Sequence, residues 1–236
     1  MRKIFSVAVL ATALFVQRTH AQEKTKTTVE ASGKTTTRDV SVQSFDQLDV
    51  NGVFNVVLSQ DTKEAVKIEA DENFQSLFTV KNDGSKLVIE MKKDVNIKGK
   101  ANMKVYVSFK KLKSMELKTV GNISSASNLS FDDLQIKNKS VGSIDLNLTA
   151  STINVENKSV GDVRLNGKAE NAVIRNNGVG EIRAANFVVQ KMDIESTGVG
   201  GAQVNAVKEL KVKDSFLGKV KNSGAATARN MKKVTI

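Results

Sequence analysis

From about Leu112 to the C-terminus, apolar and polar residues alternate with period two, and the alternation itself recurs. Six glycines, Gly121, Gly142, Gly161, Gly180, Gly200 and Gly218, follow one another at spacings of 21, 19, 19, 20 and 18 residues. An aliphatic residue precedes each: Val120, Val141, Val160, Val179, Val199 and Leu217. Six positions before each glycine stand Met115, Ile136, Val155, Ile174, Ile194 and Val212. Two positions after it stand Ile123, Ile144, Val163, Ile182, Ala202 and Val220. Period two belongs to strands rather than helices. Strands recurring at a fixed interval predict stacked units, each covering its apolar face with its neighbours. The expected fold is all-β, a parallel β-solenoid of the β-helix kind with about six rungs of ~19–20 residues.

Charge placement agrees with that stacking. Five positions before the glycines the column reads Glu116, Lys137, Glu156, Arg175, Glu195 and Lys213, acid and base in alternation. Parallel strands in register set such groups ~4.8 Å apart, where alternation avoids like-charge neighbours. Asn138, Asn157 and Asn176 share the next column and are placed to hydrogen-bond along the stack. The six glycines are expected at tight corners that require positive φ.

Residues 40–111 read differently. Phe54–Leu58 and Ala65–Glu69 flank a polar turn, and Val80 and Leu87 flank Asp83-Gly84, a hairpin signal. Met103, Val105, Val107 and Phe109 mark one face of a further strand. This segment is expected to be a β-rich cap over the open end of the rungs at 112–236, since an exposed solenoid end invites aggregation.

The N-terminus alters the picture of compartment. Arg2 and Lys3 precede an apolar run, Ile4–Val16, and Thr19 and Ala21 supply small residues for cleavage. Residues 1–21 are therefore expected to be a secretory signal, and 22–39, rich in Thr and Lys, a flexible leader before a single domain at 40–236. Loss of Arg2, Lys3 and Arg18 lowers the net charge from +11 to +8. No later run is long and apolar enough to span a bilayer. Export without disulfides points to a bacterial envelope: periplasm, outer-membrane surface or extracellular space.

Composition then excludes most chemistry. Cys and Pro are both 0, and the sole histidine, His20, falls within the expected signal. The mature chain thus offers no His/Cys metal site, no histidine-based nucleophilic triad and no disulfide, and no cofactor or metal is expected.

Several stretches resemble a known family. These are the run from Phe45 to Val56 (FDQLDVNGVFNV), the run from Val66 to Asn73 (VKIEADEN), and Lys86 to Glu90 (KLVIE), followed by the glycine-marked units. Together they are similar to the putative auto-transporter adhesin head domain (GIN domain) family of Bacteroidetes envelope proteins, from about residue 40 to the end. The resemblance implies a β-solenoid scaffold and a role in adhesion. It carries no catalytic motif.

A β-helix scaffold nevertheless raises a second reading, a polysaccharide lyase or hydrolase. Asp162 and Glu181 share a register on adjacent units, and carboxylates ~5 Å apart suit a retaining glycosidase. Arg164 and Arg183 follow two residues later on the same face, with Asp145 in their column, so a surface ion-pair lattice is the plainer reading. The lysine-rich stretch 92–113 and the basic C-terminal segment 205–236 could attract an anionic glycan, lipopolysaccharide or another envelope protein, and self-association is a further option. Nucleic acid is not expected, because no aromatics interleave with the lysines.

Overall fold

The computed structural model describes residues 27–99 and 101–230. The expected signal over 1–21 and the first residues of the leader lie outside them. Within the rest of the expected leader, Thr27–Glu30 (β1) and Thr35–Val40 (β2) are strands. They form because pairing partners exist elsewhere: β1 joins Val95–Lys98 (β8), and β2 runs antiparallel to Ala65–Asp71 (β5).

The N-terminal half continues with Gln47–Gly52 (β3), Asn55–Gln60 (β4), Phe78–Asp83 (β6), Lys86–Met91 (β7) and Lys104–Phe109 (β9). A short 3-10 helix, Glu72–Leu77, plugs the sheet with buried Phe74 and Leu77. Ser114–Thr119 (β10), Ile123–Ser125 (β11) and Leu129–Asn138 (β12) follow. The long strands are Ile144–Asn157 (β13), Val163–Asn176 (β14), Ile182–Ser196 (β15) and Ala202–Asp214 (β16), with short Val220–Asn222 (β17) and Ala228–Asn230 (β18) at the end.

All strands except β1 and β8 belong to one 16-stranded sheet. The sheet is mixed. β2–β5, β5–β9 and β6–β7 are antiparallel, whereas β3–β10, β4–β9, β4–β11 and the succession β12–β13–β14–β15–β16 are parallel. The expected parallel β-solenoid with a separate cap is corrected accordingly: the sheet is a mixed, nearly closed barrel. The reason lies in the segment read as a cap. Its strands are not a lid, because β3 pairs with β10 and β4 with β11, so they continue the same hydrogen-bonded surface. Its Asp83-Gly84 turn reverses the chain between β6 and β7, which brings in antiparallel pairing.

The core is a single cluster running the length of the sheet, from Phe45, Leu48 and Phe54 to Val204, Leu210 and Val212. In β13 the buried residues Ile144, Leu146 and Leu148 alternate with outward Asp145, Asn147 and Thr149, the period-two pattern of the sequence. The chain lacks proline, so every backbone N–H along these strands can donate to the ladder.

Ion pairs Lys113–Asp46 and Lys118–Asp49 tie the two halves together. Lys113 Nζ lies 2.7 Å from Asp46 Oδ2, just ahead of β10 and β3. The Lys113 ammonium holds the Asp46 carboxyl below the usual carboxylate range. Beside Lys118, Glu116 is lowered in the same way. A depressed folded pKa contributes stability that is complete above the unfolded value, near 4, and is lost as pH falls through the folded value. Asp46→Asn is therefore expected to flatten the acid limb of stability below about pH 4. Urea titrations of both proteins between pH 3 and 7 measure this, and an unchanged acid limb would contradict it.

Candidate binding surface

The structure sets the alternating charge column side by side. Glu116 pairs in register with Lys137, Lys137 with Glu156, Glu156 with Arg175, Arg175 with Glu195 and Glu195 with Lys213. Contacts along it are uneven. Lys213 Nζ reaches Glu195 Oε1 at 2.5 Å and Arg175 Nε reaches Glu195 Oε2 at 3.8 Å. Arg175 also bonds Asp193 at 2.8 Å, and Glu116 turns instead to Lys118 at 2.9 Å.

Beneath this column Asn138, Asn157 and Asn176 are buried and joined end to end. Asn138 Nδ2 donates to Asn157 Oδ1 at 2.7 Å, and Asn157 Nδ2 donates to Asn176 Oδ1 at 2.9 Å. The Ser159 hydroxyl donates to Asn157 Oδ1 at 2.8 Å.

The six glycines stand where neighbouring backbones touch. None of them has positive φ, so the expected conformational reason is corrected. A Cβ on Gly142, Gly180 or Gly200 would lie 2.2 Å from the carbonyl oxygen of the preceding glycine. On Gly121 it would lie 2.2 Å from the Phe54 carbonyl oxygen, on Gly161 2.5 Å from that of Gly142, and on Gly218 2.5 Å from that of Ser196. Backbone packed on backbone leaves no space for a side chain.

Asp162 and Glu181 are indeed neighbours, and their oxygens are occupied. The Glu181 N–H donates to Asp162 Oδ1 at 2.9 Å, and Arg183 Nη2 lies 3.0 Å from Asp162 Oδ2. Arg183 Nε donates to Glu181 Oε2 at 3.1 Å, and Gln203 Nε2 donates to Glu181 Oε1 at 2.9 Å. One strand earlier Arg164 binds Asp145 at 2.9 Å, and Asn166 adds a bond to the same carboxylate at 3.3 Å. These side chains form a half-exposed polar lattice across β13–β16. Arg164, Asn166, Glu181, Arg183, Asn186 and Gln203 line a shallow depression of about 420 Å³ within it.

Asn166, Asn186 and Gln203 were not among the expected site residues. Asn166, two residues beyond Arg164, and Gln203, in register with Arg183, carried the period-two signal that could have found them. A second depression, about 640 Å³, opens at the other end between Gln60, Lys110, Lys111, Phe131, Asp132 and Asp133. Among the described residues no group of three or more His, Cys, Asp or Glu is placed to hold a metal ion. No described helix is long and apolar enough to cross a membrane.

Comparison with known proteins places this geometry in a family. A solved putative adhesin from Bacteroides fragilis is 29% identical, with a TM-score of 0.73 over 86% of this chain and 100% of that one. A putative adhesin from Parabacteroides distasonis is 22% identical, with a TM-score of 0.66 over 86% and 95%. A putative adhesin from Parabacteroides merdae is 20% identical, with a TM-score of 0.52 over 87% and 100%. These last two share the fold alone. No curated protein matches the chain. The family described as "Putative auto-transporter adhesin, head GIN domain" matches residues 44–226, and the chain belongs to it.

Proposed function

We propose that the chain is an exported, non-catalytic binding protein of the bacterial cell envelope, which engages a glycan through the polar lattice of β13–β16. The observation that carries this reading is Arg183 bridging Asp162 and Glu181. A glycosidase pair needs one carboxyl free to protonate and another free to attack or activate water. Here the oxygens of both are taken up by Arg183, Gln203 and the Glu181 N–H. What the lattice offers is Arg164, Arg183, Asn166, Asn186 and Gln203, whose remaining planar donors suit sugar hydroxyls. Membership in an adhesin family and the arginine- and lysine-led apolar N-terminus support the envelope setting.

The test is a screen of glycans and lipopolysaccharide at 50 and 300 mM salt. A specific ligand keeps measurable affinity at the higher salt, whereas diffuse charge attraction is screened away. Arg164→Gln with Arg183→Gln is expected to weaken the retained ligand at least tenfold. These side chains are half-exposed, so their ion pairs contribute only about 0–1 kcal/mol each and the fold survives. Retained affinity in the double variant would overturn the assignment to this face.

A further inference from the structure

The aliphatic residue before each glycine is the sequence feature that the polar lattice leaves unexplained. Val120, Val141, Val160, Val179, Val199 and Leu217, with Val53 ahead of Phe54, are each 48–60% exposed, although most large apolar side chains among the described residues are buried. They stand one above another. The Val120 N–H donates to Gly52 O, Val141 to Thr119 O, Val160 to Ser140 O, Val179 to Ser159 O and Val199 to Gly178 O. At ~4.8 Å per strand the seven make a single file ~29 Å long. Phe216, 89% exposed, stands beside Leu217 at one end.

The file is bordered by polar side chains on both sides. Two residues before Val120, Val141, Val160, Val179 and Val199 come Lys118, Lys139, Lys158, Asn177 and Thr197, and two residues after the first four come Asn122, Ser143, Asp162 and Glu181, with Gly201 after Val199. The two carboxylates on the second border share the single Arg183 guanidinium, so that border keeps one uncompensated negative charge. The first border is cationic, with Lys139 and Lys158 exposed, and Lys118 and Lys139 share Glu116 at 2.9 and 3.8 Å.

We propose that this ridge is the edge by which the protein lies on an anionic lipid bilayer, independently of the polar lattice. A file one residue wide with polar borders cannot supply the ~800 Å² per partner of a standard protein interface, which disfavours a second copy as its occupant. A bilayer interface accepts such an edge: apolar tips enter the acyl boundary while flanking lysines stay among anionic headgroups. Contiguous exposed apolar surface on this scale marks an interaction site.

The test uses flotation with phosphatidylglycerol–phosphatidylethanolamine vesicles, and phosphatidylcholine vesicles as the comparison. The apolar run Ile4–Val16 is common to all variants, so differences between them report on the ridge. The unsubstituted chain is expected to float with the anionic vesicles, and Val160→Asp with Val179→Asp to reduce partitioning at least tenfold. Lys139→Glu with Lys158→Glu, which leaves the apolar file intact, is expected to reduce it at least threefold. The chain has no tryptophan, so Phe216→Trp gives a single reporter. Its emission is expected to shift to the blue on anionic vesicles and to be quenched by brominated acyl chains. Glycan binding should be unchanged in all four substitutions of the file and its border, which separates this proposal from the polar face. Unaltered partitioning in both double variants, an unshifted reporter, or a dimer that the valine substitutions dissolve without any vesicle binding would each overturn it.

Discussion

Gly161→Ala is expected to lower the melting temperature by about 6–12 °C, the shift that about 3 kcal/mol produces in a chain of this size. The added methyl would lie 2.5 Å from both the C and O atoms of Gly142 and 2.8 Å from the Ser143 nitrogen. All three are backbone atoms in the segment just ahead of β13, so no side-chain rotation relieves the overlap. Gly84→Ala is the informative control. Gly84 has φ +57 but open space around its Cβ position, so only the left-handed backbone penalty of ~1–2 kcal/mol applies. If positive φ were the reason for glycine, the order of the two effects would reverse. Thermal melts followed by circular dichroism decide this, and a Gly161→Ala melt within 2 °C of the parent would contradict the close-approach account.

Removing the middle asparagine should cost about as much. Asn157→Ala leaves the buried Asn138 amide without its acceptor and takes a donor from Asn176. Each orphaned buried group costs ~1–3 kcal/mol, so a loss of about 3 kcal/mol is expected. Asn157→Asp carries a further signature. A carboxylate there accepts from Asn138 but faces the Asn176 Oδ1 acceptor with no proton to give, in a buried setting that raises its pKa. A raised folded pKa means that the neutral form is tolerated and the charged form is not. The penalty relative to the parent should therefore be smaller at pH 4.5 and grow towards pH 7. Urea denaturation at the two pH values measures it. A pH-independent penalty would mean that the side chain is not held in the chain of amides.

Much of this architecture was legible from alternation alone. Ile144, Leu146 and Leu148 announce an inward face, and the intervals of 19 and 20 residues from Glu156 to Arg175 and Glu195 announce their neighbours. Closure of the sheet was not legible, because it depends on non-local pairing. Val105 and Val107 read as one face of a strand, yet nothing in Lys104–Phe109 says that it lies parallel to β4 on one side and antiparallel to β5 on the other. That pairing makes the sheet a mixed barrel rather than a capped solenoid. The glycine column was visible, but spacing cannot tell a required φ from a required absence of Cβ. Shared register placed Asp162 beside Glu181, and the Glu181 N–H donates to the Asp162 carboxylate. That one guanidinium, Arg183, spans both is a matter of side-chain conformation, which register does not fix. The valine column was read as a companion of the glycines, and only its exposure in the folded chain shows that it faces outward.

The central claim is that a polar surface, not a reactive centre, carries the function. The most direct measurement is to incubate the protein with the glycan retained at 300 mM salt and follow binding and product release together. The account predicts saturable binding that Arg164→Gln with Arg183→Gln weakens at least tenfold, with the glycan recovered at its original length. New reducing or unsaturated ends that disappear in Asp162→Asn or Glu181→Gln would contradict it.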